Sequence, residues 1–390
     1  MGLLILRNNI LRQELLPMAK QTPVYRILLY LSLACFLLAA VLATMQSMEL
    51  MGIALLAGFL FSAMGSRGFK IGRGFSFPLL IFAAVTIALA YPENFVEFNG
   101  FRLSKLITPL IQLIMFGMGT AIGIEDFIGV AKMPRGVIIG TISQFVIMPM
   151  VGFTLANIFP FPAEIAAGII LIGCSPAGMA SNVMAFLAKA NLALSITLTT
   201  ISTLLAPFLT PFLMSLLAGE FIEVDVLKMM WDIIKMVIIP IGAGLAFNRI
   251  FRGKALWLHN AMPFVSMGGI AFIIVIITAA GRNSLLEIGF LLVISSLIHN
   301  MGGYLLGYWS ARLFKMPEKD CRTVAIEVGM QNGGLASGIA LAMGKMSTVG
   351  LAPAVFAPLM NITGSLLASW WHNKPVQDTP DDPVVKSDVF

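Results

Sequence analysis

Gly173-Cys-Ser-Pro-Ala-Gly-Met-Ala-Ser-Asn182 and Glu327-Val-Gly-Met-Gln-Asn-Gly-Gly334 decide how this sequence folds. Each sits in the middle of a long apolar run. The first brings a proline, two glycines and several side-chain donors to mid-run. Pro176 has no amide hydrogen and its ring clashes with the preceding turn, so a helix cannot pass through unchanged. The second packs a carboxylate, two amides and three glycines into eight residues. In hydrocarbon, irregular backbone survives only where protein or a water-filled cavity satisfies the freed groups. Both runs are therefore read as helices that break and restart near the middle of a membrane.

The surrounding composition requires that membrane. Of 390 residues, 58% are hydrophobic and 11% charged, with a mean hydropathy of +0.92. Soluble domains carry about 25% charged residues, so a soluble enzyme and a disordered chain are both excluded. Twelve stretches with few or no charges lie at roughly 27–45, 50–66, 76–91, 106–124, 136–158, 165–188, 192–218, 229–248, 261–280, 288–311, 321–343 and 351–371. Each approaches the ~20 residues of a spanning helix, whereas barrel strands need only about ten, alternating. With the N-terminus inside, 19 Lys and Arg fall on the cytoplasmic side and 5 on the other. That asymmetry predicts cytoplasmic termini at both ends and accounts for the +6 net charge without a nucleic-acid partner. No Walker-type Gly-Lys-Ser/Thr loop is present, so ATP is not expected as a partner. Three separated cysteines and three histidines supply neither a disulfide framework nor a multi-His metal centre.

Omitting the first two spans, ten remain, and the broken ones are the fourth and the ninth. They are the fourth members of two five-helix units, and an odd helix number inverts the second unit relative to the first. Broken helices at matching positions of inverted repeats point to the binding site of a secondary transporter. The expected organisation is an N-tail (1–26), an extra hairpin (27–66), a first repeat (75–218), an inverted second repeat (229–372) and a disordered tail (373–390). A Gly-Pro cluster alone is as often a packing kink. It is the pairing of two clusters that favours a site.

Other polar residues lie within spans. Ser195 and Thr199 are four apart and share a helix face, offering two oxygens to a hard cation, although such pairs commonly join helices. Gln144 precedes Met148-Pro149 deep in the fifth span. Asp232 and Lys235, three apart in the eighth, are expected to neutralise each other. His299-Asn300 is expected to hydrogen-bond to neighbouring helices. An intramembrane enzyme would need an Asp pair, a Ser–Lys or Ser–His arrangement or a His-Glu-x-x-His helix, and none stands at membrane depth.

The run from Gly168 to Thr199 resembles the bile acid:sodium symporter family, as do Met115-Phe-Gly-Met-Gly119, Gln144-Phe-Val-Ile-Met-Pro149, His299-Asn300 and Glu327-Val-Gly-Met-Gln-Asn332. The similarity covers about residues 75–375. The resemblance implies an all-α polytopic protein of ten helices in inverted repeats, with two discontinuous helices that cross. It implies sodium-coupled symport of an organic anion (bile acid-like, a steroid sulfate or a small carboxylate) by alternating access, in a bacterial inner membrane. Two sodium sites follow from it: Ser181, Asn182, Ser195, Thr199 and Glu327 for one, and Gln144, Glu327, Val328, Met330 and Gln331 for the other. Asn332 matches a position beside the substrate. Met179 stands where relatives carry a hydroxyl, so substrate preference does not transfer, and the hairpin 27–66 has no counterpart. A proton-coupled or sodium-independent carrier of the same fold, with Glu327 titrating, and a channel are the alternatives.

Overall fold

The computed structural model describes residues 23–45, 47–69, 75–122, 132–251 and 256–376. Most of the predicted N-tail and the predicted disordered tail beyond residue 376 lie outside them. The helices are α1 (Pro23–Thr44), α2 (Met48–Ser66), α3 (Ser76–Ala90), α4 (Ile107–Ala121), α5 (Pro134–Ile158), α6 (Ala163–Cys174) and α7 (Ala180–Leu187). They continue with α8 (Leu192–Ala218), α9 (Val226–Phe251), α10 (Leu256–Ala280), α11 (Arg282–Leu313), α12 (Glu318–Gly329), α13 (Gly333–Ala342) and α14 (Leu351–His372). Over their described residues the twelve apolar stretches fall mainly on helix, with breaks in the sixth and the eleventh. Among the described residues, eight helices are long and apolar enough to cross a membrane. The chain is an all-α polytopic membrane protein.

Local chemistry sets the helix limits. Pro23 and Pro134 open α1 and α5, where a missing amide hydrogen costs nothing. Asn191 and Asp225 accept from the amides of Leu194 and Lys228 and so cap α8 and α9. α9 contains a π-helical turn at Ile234–Ile238. Beside it Lys235 and Asp232 pair at 3.7 Å, as their spacing predicts. One departure from an all-helical chain is a small hairpin, Glu97–Phe98 against Phe101–Arg102. Its turn residues Asn99 and Gly100 both have positive φ, 50° and 80°. Asn-Gly is the pair that type I′ turns prefer.

The helices pack in two groups. α3, α4, α9 and α10 form one, in which α4 lies along α9 and α10. α5 to α8 and α11 to α14 form the other, which holds both broken helices. The hairpin α1–α2 packs on α3 at the outer edge of the first group. Ser32 and Ser62 hydroxyls join its two helices at 2.5 Å. Ser76 donates to the Ala63 carbonyl at 3.0 Å and fixes α2 to the start of α3.

Candidate functional site

α6 stops at Cys174 and α7 starts at Ala180; α12 stops at Gly329 and α13 starts at Gly333. The two interruptions meet. The Gly178 amide donates to the Met330 carbonyl at 2.9 Å, and the Asn332 amide donates to the Pro176 carbonyl at 2.8 Å. These bonds form an antiparallel bridge centred on Ala177 and Gln331. A side chain at Gly178 could not fit, because its Cβ would stand 2.8 Å from the Gln331 carbonyl oxygen.

Breaking a buried helix frees carbonyls that must find donors. Here four find side-chain donors. Thr210 donates to Cys174 O at 2.7 Å and Gln144 Nε2 to Ser175 O at 3.0 Å. Gln331 Nε2 donates to Val328 O at 2.7 Å, and Asn300 Nδ2 to Gly329 O, also at 2.7 Å. Thr210 is a residue that sequence reasoning missed. Its signal was a hydroxyl between Pro207 and Pro211 in an otherwise apolar helix.

Beside the breaks, five predicted residues converge from three helices: Ser181 and Asn182 on α7, Ser195 and Thr199 on α8, and Glu327 on α12. Ser195 Oγ donates to Glu327 Oε1 at 2.5 Å, and Thr199 Oγ1 to Glu327 Oε2 at 2.8 Å. The same hydroxyl oxygens lie 2.9 and 3.3 Å from Asn182 Oδ1. Ser181 Oγ is 3.3 Å from Thr199 Oγ1 and also reaches the Gly178 carbonyl at 2.8 Å. Each hydroxyl has one proton, so the set holds more oxygen lone pairs than protons to share among them. Glu327 is 2% exposed, and among the described residues no Lys, Arg or His forms an ion pair with it. A buried carboxylate ringed by oxygens is costly without a positive charge. The donor set, a carboxylate with hydroxyls and an amide oxygen, fits a hard cation.

The second predicted set assembles in part. Gln144 Nε2 donates to Gln331 Oε1 at 2.8 Å, and Gln331 in turn holds Val328. Gln144 Oε1 is buried and has no hydrogen-bond partner among the described residues. The Met330 carbonyl accepts from Gly178, and the Glu327 carboxylate is engaged by the α8 hydroxyls. Among the described contacts, none joins that carboxylate to Gln144.

Met179 and Asn332 flank the paired breaks. Met179 is half-buried at the start of α7. Asn332 is 9% exposed, and its Oδ1 accepts from the Leu335 amide at 3.0 Å, capping α13. Its side chain therefore has a structural duty as well as a place at the break. His299 and Asn300 bond to α5 and α12, as expected of them: His299 Nε2 contacts Met148 O at 2.9 Å.

Known proteins resemble this chain. Residues 108–288 match the profile of the sodium bile acid symporter family. A Bacillus subtilis protein described as an uncharacterized sodium-dependent transporter, YocS, is 42% identical over 304 residues, covering 78% of this chain and 92% of its own length. The probable sodium/metabolite cotransporter BASS1 of Arabidopsis thaliana chloroplasts is 30% identical over 306 residues, covering 78% of this chain and 75% of its own. The probable sodium/metabolite cotransporter BASS2 of rice chloroplasts is 30% identical over 285 residues, 71% of this chain and 67% of that one.

Proposed function

The chain belongs to the sodium bile acid symporter family, and from that premise we propose that it is a secondary active symporter carrying an organic anion inward with sodium. The observation that carries this reading is the buried oxygen set around Glu327, which no cationic side chain among the described residues neutralises. Sodium is cargo here. Ser181, Asn182, Ser195, Thr199 and Glu327 hold one ion. Gln144, Val328, Met330 and Gln331 supply amide and backbone oxygens for a second, which shares the Glu327 carboxylate with the first. Gln144 Oε1, without a hydrogen-bond partner among the described residues, supports that role. Two cations against one carboxylate leave a positive charge, which suits an anionic substrate. The N-termini of α7 and α13, beside the breaks, add to that attraction. Met179 and Asn332 line the anion's place.

Read in this way, α3 to α14 are two inverted five-span units in the inner membrane of a bacterium, with both termini cytoplasmic. The broken-helix group moves against the group of α3, α4, α9 and α10. Sodium shifts the equilibrium by binding the substrate-ready state more tightly. In proteoliposomes an inward sodium gradient is expected to drive saturable uptake of an organic anion first identified by sodium-dependent thermal shift. Replacing sodium by choline should abolish the uptake. Uptake that follows a pH gradient and ignores sodium favours the proton-coupled alternative, and non-saturating flux favours a channel.

Ser195→Ala and Thr199→Ala test the first ion's ligands. Each removes one hydroxyl from one ion, so each is expected to weaken sodium binding about tenfold, by the scale of a charge-assisted bond. The double variant should lose less than the two single losses multiplied, because both side chains act through one ion. Sodium titration of the three variants decides this. Independent effects, or none, return the pair to a role in helix packing.

A further inference from the structure

Two adjacent residues of α11 touch both sides of the second oxygen set without belonging to it. Successive residues on a helix point about 100° apart, so a dipeptide can address two neighbouring helices. His299 faces α5 and Asn300 faces α12. Both are fully buried.

The His299 contact fixes its tautomer. Met148 O can only accept, so Nε2 carries the proton and donates at 2.9 Å. The ring lies in a slot between two glycines: a Cβ at Gly152 or Gly173 would stand 3.1 Å from its Cε1. The carbonyl it holds belongs to the residue before Pro149, whose missing amide hydrogen removes one bond from the ladder of α5. One turn earlier on the same face is Gln144.

The Asn300 contact fixes the other side. Its Nδ2 donates to the last carbonyl of α12, Gly329 O, at 2.7 Å, and its Oδ1 accepts from Thr363 on α14 at 2.5 Å. Close packing gives the amide no latitude. A Cβ on Gly303, one turn on, would stand 2.9 Å from Gly329 Cα, and one on Gly307 would stand 2.9 Å from Val328 Cβ. Small residues four apart let α11 lie directly on α12. The contacts close a circuit: His299 to Met148, along α5 to Gln144, across to Gln331 and Val328, and back through Gly329 to Asn300.

We propose that His299 and Asn300 are positioning residues that set the separation of Gln144 from the freed carbonyls of α12, and so the sodium affinity of the second oxygen set. The proposal rests on the sodium reading above. Neither side chain is a ligand. Residues that orient metal ligands commonly carry ten- to hundredfold in affinity.

The test is a sodium titration, against choline at constant ionic strength, of the purified full chain by thermal shift. Asn300→Asp keeps the acceptor for Thr363 and loses the donor to Gly329 O. His299→Phe keeps a ring in the glycine slot and loses the donor to Met148 O. Each is expected to raise the sodium concentration for half-maximal stabilisation about tenfold and to flatten the titration towards a single-site slope. His299→Gln, which has an N–H to offer Met148 O, is expected to recover most of the loss. A merely structural role would lower the sodium-free melting temperature and leave the half-maximal concentration alone, and that result overturns the proposal. If Asn300→Asp does not fold, the contrast between His299→Phe and His299→Gln decides it. Equal affinities in those two variants refute the role. Gln144→Leu and Glu327→Gln run alongside: if they change sodium binding and the α11 variants do not, only the positioning role fails. If none of them changes it, the sodium reading fails with it.

Discussion

Glu327→Gln is expected to abolish the stabilisation of this protein by sodium while leaving its fold intact. The substitution keeps the side chain's volume, and its amide oxygen can still accept from Ser195 or Thr199. What it removes is the negative charge that makes the oxygen set attractive to a cation. At a sodium concentration 100 times the dissociation constant, a bound ion stabilises the folded state by about 2.7 kcal/mol. The variant should gain nothing over the same range. Its sodium-free melting temperature should match or exceed that of the unaltered chain, because an uncompensated buried carboxylate is replaced by a neutral group. Undiminished sodium binding by calorimetry removes Glu327 from the site.

Asn332→Asp is expected to cost substrate binding about a hundredfold and sodium binding little. An Asp oxygen can still accept from the Leu335 amide, so the cap of α13 is kept. The new charge faces the anion. Two like charges about 6 Å apart repel by about 2.8 kcal/mol at an effective dielectric constant of 20, which is the hundredfold. Met179→Thr is the companion, expected to shift preference towards smaller and more polar acids, since methionine offers adaptable apolar contact and threonine a hydroxyl. Competition binding with an anion series in saturating sodium checks both. Equal effects of Met179→Thr on every anion place its side chain away from the substrate.

Much of this was legible because membrane chemistry makes polar residues conspicuous. Pro176, Gly178 and the Glu327 to Gly334 run break apolar helices where nothing but a site or a partner break can repay the cost, and the structure brings both breaks together. The i, i+4 spacing of Ser195 and Thr199 placed both hydroxyls on one face, and both reach the same carboxylate. Other contacts were not legible. That Asn332 caps α13 depends on where a helix restarts, and boundaries are set by packing as much as by residue type. Asn300 meets Gly329 across 29 positions of sequence, and Gln144 meets Gln331 across 187. No local pattern encodes such pairings. The Asn99-Gly100 turn, by contrast, is legible from its residue pair alone.

The joint between the two breaks is made of main-chain atoms: two amides and two carbonyls, with a glycine where the strands approach most closely. Such a joint does not depend on which side chains hang from it. Ala177 and Met179 can change identity while Pro176, Gly178, Met330 and Asn332 keep their backbone bonds. On the function proposed above, carrier mechanics and cargo choice are thereby written in separate parts of the same few residues. On that reading, a substitution at Met179 changes the surface offered to the anion and leaves this main-chain joint intact.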